Sequence, residues 1–281
     1  MSSDTESDVG DAAQKSQETI LEEEIEEGIA ELRRPTSGIA LSGLSAGLDI
    51  GFGPLLMAVV LSHSGPETSA LAEQLVVAGA YAIGFIFVVL GQSALFTEHT
   101  VLSLLPVLDG QSSLRDLLRM WVTVYVSNIA GCVVFTGLAV LVGPSIDIVE
   151  PGAFVAIADV FVRYAWWATL LSAVLAGWLM GLLSWLVVAA RDTTSVILVV
   201  VFITGAIGFA HLPHSIAGTV EVLLGVFSSP RIGLVDYAGF LLWSTLGNVI
   251  GGVFFVGLLK YSHVVRAGPE PEEVSLRGRG P

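Results

Sequence analysis

The chain has 281 residues, of which 53% are hydrophobic and only 14% charged, and its mean hydropathy is +0.79. That composition describes an integral membrane protein and excludes an ordinary water-soluble globular enzyme. The formal net charge of −14 is uneven: eleven acids fall in residues 1–31, so the charge describes a terminal segment rather than the membrane part.

Residues 1–18 read as a disordered acidic tail, either a solvating segment suited to a high-salt organism or an ordinary unfolded one. They have neither the basic flank nor the apolar core of a signal peptide. Residues 19–34 read as an amphipathic helix, because Ile20, Leu21, Ile25, Ile29 and Leu32 recur at helical spacing and Pro35 closes the run. Residues 35–263 form the membrane domain. Its six spans run about Ser37–Leu61, Leu71–Leu108, Leu114–Val142, Val155–Ala190, Thr193–Phe227 and Leu234–Tyr261, against the roughly 20 apolar residues a span needs. The second is interrupted at "GQSALFTEHT" (Gly91–Thr100) and the fifth at "GFAHLPHSIAG" (Gly208–Gly218). Residues 264–281 read as a disordered C-terminal tail. Cys132 is the single cysteine and makes no internal disulfide.

Arg33, Arg34, Arg115, Arg119, Arg191, Lys260 and Arg266 fall on one side of this topology, and only Arg163 and Arg231 on the other. The positive-inside rule then puts both termini in the cytoplasm of a multi-pass plasma-membrane protein. "SNIAGCVVF" (Ser127–Phe135) and "GNVIGGVFF" (Gly247–Phe255) match at Asn128/Asn248 and Gly131/Gly251, 120 residues apart. Three spans repeated once give two halves of inverted topology, each with its middle span broken. Paired broken helices point to a transport site at the midplane.

Irregular backbone in a span must be enclosed by protein or line a wet cavity. Pro213 removes a donor and disfavours helix at Leu212. Thr97 is the expected N-cap of one half-helix, and Ser215 or His214 the start of the other. Their positive dipole ends, facing one cavity, suit an anion. Glycines at fourfold spacing (Gly43, Gly47, Gly51; Gly177, Gly181; Gly247, Gly251) predict close helix packing, within a protomer or between protomers.

These residues resemble the formate/nitrite transporter family. Its first break carries Leu-Phe-Thr, here Leu95, Phe96 and Thr97, and its second His-Ser-Ile-Ala, here His214 to Ala217. The likeness runs through residues 37–263. It implies an all-α, aquaporin-like architecture and a homopentamer with one pore per protomer. It also implies passage of small monovalent anions such as formate or nitrite, or their weak acids. The sequence departs from that pattern: Ala94 stands where the family has Glu, Gly218 and Gly177 where it has Asn, and Arg163 is the nearest basic residue to its outer lysine. The substrate is therefore not carried over.

His214 is the expected pore histidine, hydrogen-bonding the substrate with Thr97 and sharing a proton with it; His211 is the other candidate. Leu95, Phe96, Phe85 and Phe209 are the expected apolar pore residues. Glu98, His99, Glu221 and Asp49 are costly in lipid and are expected in a polar network in or behind the pore. Asp159 and Arg163, four apart, are expected to pair. No cofactor, metal or nucleic-acid partner is expected; the partners are the anion, the bilayer and further copies of the chain. Two other readings remain open. A channel for neutral solutes would use apolar rings to exclude ions. An intramembrane metalloenzyme would use Glu98, His99, His211, His214 and Glu221, a set that lacks a regular His-x-x-x-His face.

Overall fold

A computed structural model describes residues 15–267, and the tail segments 1–14 and 268–281 lie outside the described residues. The described residues contain helices and connecting turns. Helix α1 (Gln17–Arg33) begins with Ser16 accepting a hydrogen bond from the Thr19 N–H at 3.1 Å. It starts two residues earlier than periodicity suggested, because the cap precedes the first apolar position. Its apolar face, Ile20, Leu21, Ile25 and Leu32, is buried.

The first passage is α2 (Thr36–Asp49) and α3 (Phe52–His63), with a slight offset at Ile50 and Gly51. Then come α4 (Ala70–Leu90), α5 (Phe96–Leu102), a single turn α6 (Leu105–Leu108), and α7 (Leu114–Ser145). The second half has α8 (Pro151–Val162), α9 (Trp166–Ala189), α10 (Thr193–Phe209) and α11 (Ala217–Ser228). It ends with α12 (Leu234–Gly252), a π-helical stretch over Val253–Leu258, and α13 (Leu259–Ala267).

Among the described residues, five helices are long and apolar enough to cross a membrane: Thr36–His63, Ala70–Leu90, Leu114–Ser145, Trp166–Ala189 and Leu234–Arg266. Three expectations need correction. The stretch 155–190 is not one span: α8 is a separate short helix, and Ala165 opens α9 in an extended conformation. The last helix continues past residue 263 to Ala267. Both interruptions are shorter than the polar residues suggested. Phe96–Thr100 are already helical in α5, and α10 continues through Gly208 and Phe209.

The two breaks are built alike. α10 packs along α4, and Gln74 of α4 donates to the Phe209 carbonyl at 2.8 Å. The last turn of α10 therefore lies beside the first turn of α4, and the chain folds back from there before α11 begins. Each reversal contains a polar residue in the left-handed region, Gln92 at φ 53° and His211 at φ 49°, a conformation that costs a non-glycine residue about 1 kcal/mol.

Small residues permit the closest contacts. α2 packs on α7 and α9 on α12. A Cβ on Gly47 would strike the Asn128 carbonyl, and one on Gly177 would strike the Asn248 carbonyl. Gly131 and Gly251 meet the partner helices at the Leu44 and Val174 carbonyls. The glycine stripes are thus used within the protomer.

Candidate functional site

Two buried asparagines fix the starts of the two half-helices, and they do so in the same way. Asn128 Oδ1 accepts from the Phe96 N–H at 2.9 Å, while its Nδ2 donates to the carbonyls of Gly43 (2.8 Å) and Ala94 (2.9 Å). Asn248 Oδ1 accepts from the Ser215 N–H at 2.8 Å, and its Nδ2 donates to the carbonyls of Ala173 (2.9 Å) and Pro213 (3.0 Å). Each side chain satisfies one amide and one carbonyl of a break, Phe96 N–H with Ala94 C=O or Ser215 N–H with Pro213 C=O, and ties them to a carbonyl of a neighbouring intact helix, Gly43 of α2 or Ala173 of α9. The 120-residue spacing of the sequence repeat thus has a structural use.

Between these clamps the two halves touch. Thr97 Oγ1 and His214 Nε2 are 2.7 Å apart, in a contact that joins residues 117 positions apart. His214 is fully buried and Thr97 nearly so. His214 Nδ1 accepts from the backbone N–H groups of Ala217 (3.1 Å) and Ile216 (3.3 Å). A ring nitrogen that accepts two amides carries no hydrogen, so the neutral ring holds its proton on Nε2. Nε2–H therefore donates to Thr97 Oγ1, and the Thr97 O–H is left free to donate elsewhere. α11 begins at Ala217, two to three residues later than Ser215 or His214, with Ile216 at its N-cap position, although His214 Nδ1 takes its first amides. Thr97 is not the cap of α5: Leu95 occupies that position without a side-chain cap, and the Thr97 hydroxyl turns to the histidine instead.

The surroundings are apolar. The Phe85 ring stands edge-on to the His214 ring at 5.2 Å, and Leu95 is fully buried. The Ser215 hydroxyl is buried beside His214 with no hydrogen-bond partner. Phe96 points away, packing on Tyr125 (4.9 Å) and Trp121 (6.2 Å). Phe209 is half-buried and meets Gln74 through its carbonyl. His211, with its left-handed backbone, lines a separate cavity of about 310 Å³ on the α4/α8 side, together with Gln74, Glu73, Phe161 and Glu221.

The remaining polar residues do not form one network. Asp49 accepts from Ser45 (3.1 Å) and Ser93 (3.3 Å). Behind the first break, His99 Nδ1 donates to the Leu95 carbonyl at 3.1 Å, and its Nε2 lies 3.7 Å from the Glu31 carboxylate of α1. Glu221 stands apart in the cavity with His211. Asp159 pairs with Arg231 at 3.1 Å rather than with Arg163. Among the described residues no group of three or more His, Cys, Asp or Glu is arranged to hold a metal ion.

Helix α1 adds acids that sequence reasoning had placed only on a surface helix. Glu24 is fully buried and accepts from Ser184 of α9 at 3.0 Å. Burial pushes its carboxyl up to about 8, against the opposing hydrogen bond from Ser184. Burial and the neighbouring Glu31 and Glu23 also raise Glu27, although His99 opposes them. Glu31 is partly buried, but its contacts with His99 and Arg34 outweigh that and hold it below the usual range. Two further groups carried no sequence signal: Tyr81, whose buried hydroxyl has no partner, and Phe240, which occupies the space beside Gly218 where a Cβ would sit.

An all-helical, multi-pass membrane protein in which two interrupted helices meet through buried polar side chains belongs among channels and transporters rather than enzymes. The family model for "Formate/nitrite transporter" matches residues 17–262, and the chain belongs to that family. It is 30% identical over 259 residues to a probable formate transporter of Methanothermobacter thermautotrophicus, covering 82% of this chain and 91% of that one. Among solved structures it resembles an FNT family ion channel, with a TM-score of 0.78 and 23% identity, over 89% of this chain and 99% of that one. It also resembles a pentameric formate channel with formate bound, with a TM-score of 0.67 and 21% identity, over 82% of this chain and 98% of that one.

Proposed function

We propose that the protein passes small monovalent anions of the formate and nitrite type, or their weak acids, through a pore in each protomer, with the Thr97–His214 junction as the contact point. The observation that carries this reading is the 2.7 Å contact between those two side chains, at the starts of both half-helices and enclosed by apolar residues. The free Thr97 O–H offers a donor to an anion's oxygen. The Phe85 ring and Leu95 exclude bulk water and disfavour a bare charge. His214 is a fixed donor through Nε2–H and orients the threonine; its Nδ1 is committed to the start of α11.

Six passages in two inverted halves fit the matched asparagine clamps, with α10 and α11 together forming the fifth. The distribution of basic residues supports an orientation with both termini and α1 on the cytoplasmic side of the plasma membrane. The solved relative described as a pentamer supports a homopentamer. The test is uptake by proteoliposomes, compared with empty ones, for formate, nitrite, urea and glycerol. Formate or nitrite uptake above the empty-liposome rate, without urea or glycerol uptake, supports the reading. The reverse pattern supports a neutral-solute channel. Replacing Thr97 by Val removes one hydrogen bond worth about 1.4 kcal/mol and lowers anion flux about tenfold.

A further inference from the structure

The cavity beside His211 contains a carboxyl group that nothing in the protein uses. Glu221 lies on the second turn of α11, is 2% exposed, and lines the cavity of about 310 Å³. Among the described residues no hydrogen bond or ion pair reaches its carboxyl. A second unused polar group is close by. The Tyr81 hydroxyl is buried without a partner, and its ring lies against α10 where Gly208 has no side chain. Tyr81 follows Gln74 and Val77, which line the cavity, by seven and four residues on α4, so it lies one turn further in on the same helix face.

Their position connects the cavity to the junction. The Tyr81 ring is 5.1 Å from the Phe85 ring, Phe85 is 5.2 Å from the His214 ring, and His214 touches Thr97 at 2.7 Å. Glu221 thus lines the cavity, and Tyr81, one turn inward of Val77 on α4, stands between the cavity and the apolar stretch that begins at Phe85.

The groups facing Glu221 leave it without a cation. From α4 come Glu73 and Gln74, with Tyr81 one turn further in, from the loop before α11 His211, and from α8 the apolar Ile157 and Phe161. Met57 faces it from α3. Asp159 of α8 is engaged outward with Arg231, and Tyr237 of α12 lies near Thr219 at 3.5 Å. Arg163 acts on His211, and neither lysine nor arginine lines the cavity.

An ionised Glu221 here would repel an approaching anion, whereas a protonated one donates a hydrogen bond to it. We infer that Glu221 and Tyr81 form a recognition and proton-transfer site for a small two-oxygen anion at the inner end of this cavity. The inference rests on the anion reading above. The Tyr81 O–H and the Glu221 carboxylic O–H each donate to one oxygen of the anion. The Glu221 O–H bond then breaks as an O–H bond forms on the anion. The neutral acid moves on past Phe85, and the negative charge stays on the Glu221 carboxylate. A hydronium ion reaching the cavity from the bulk solution restores the carboxylic acid and leaves water. His214 does not serve this role, because its Nδ1 accepts two amides and its Nε2–H is given to Thr97. Glu221 has both oxygens available.

The test uses the full chain in proteoliposomes with a fixed formate gradient, the pH on the cavity side stepped from about 5 to about 8. The wild-type rate falls as that pH rises. E221Q keeps a polar group of the same shape but has no proton to give. Its maximal rate falls at least tenfold at the acid end, and the remaining flux loses the pH dependence. Y81F instead raises the half-saturating formate concentration several-fold and keeps the pH profile. An infrared difference spectrum supplies a readout independent of flux: a protonated-carboxyl band, absent in E221Q, that shifts when formate is added. An E221Q profile identical to the wild type overturns the site, as does a band that is missing or indifferent to formate. Proteoliposomes that take up neither formate nor nitrite at any pH overturn the anion reading itself, and the infrared band still decides the fate of Glu221.

Discussion

At the residue scale, the asparagine clamps hold more of the architecture than the histidine does. Asn128→Ala strands the Phe96 N–H and the Ala94 carbonyl in a buried site, while the Gly43 carbonyl keeps its bond within α2. Each unsatisfied buried group costs about 1–3 kcal/mol. Asn128→Ala and Asn248→Ala should each lower the thermal midpoint in detergent by several degrees, by similar amounts because their bonding is equivalent. Gly218 presents a different constraint. The family's usual asparagine at this position has no room here, since a Cβ would meet the Phe240 ring. Gly218→Asn should therefore destabilise the protein, by about 1–3 kcal/mol for overpacking, and Phe240→Ala in the same chain should recover part of the loss. A double-mutant cycle on thermal stability measures this; additive effects would rule out the Phe240 contact as the cause.

At the element scale, α1 docks through a carboxyl that must be neutral to stay buried. Glu24 rises from about 4.5 when undocked to about 8 when docked against Ser184. Its protonated form is therefore favoured in the docked state. Docking is strongest below about 4.5, weakens as pH rises from there to about 8, and is level above. Glu27 is raised and acts in the same direction. Glu31, held low by His99 and Arg34, acts in the opposite direction only in the acid range, losing its contribution as pH falls through its lowered value. Hydrogen exchange in α1, corrected for the intrinsic rate, should accelerate between pH 5 and pH 8 (the window about these values) relative to α9, and Glu24→Gln should flatten that change. This helix also marks the limit of sequence reading. Its apolar positions were visible as a period of 3.6, and so were the long spans, because burial in lipid or protein selects apolar residues at known spacings. Glu24 looked like one more solvated acid in a run of five, since its burial depends on a serine 160 residues away. The same holds at the breaks. Polar residues and Pro213 announced an interruption, but helical bounds at Phe96 and Phe209 followed from Asn128 and Gln74, which are distant in sequence. Glu221 was noticed as costly, yet only the fold separates it from His99 and Asp49.

At the scale of the whole molecule, the site is complete within one chain. Thr97, His214, both asparagines, Phe85 and the glycine contacts that let α2 meet α7 and α9 meet α12 all come from the same protomer. An assembly of such units need not share a pore, and a central opening between subunits would leave the junction unused. The distinction is measurable by mixing. Co-expression of the wild type with a blocked variant, His214→Trp, at graded ratios produces mixed oligomers. Independent pores predict flux that falls in direct proportion to the blocked fraction, so half-blocked material keeps about half the rate. A single pore shared by five subunits and closed by any one of them would keep about 3% at the same ratio. Steady assembly of the mixture, read by native mass spectrometry, ensures that the two curves compare equal numbers of oligomers. A linear dependence follows from the chemistry: the donor and acceptor that meet at 2.7 Å are already joined before any second copy arrives.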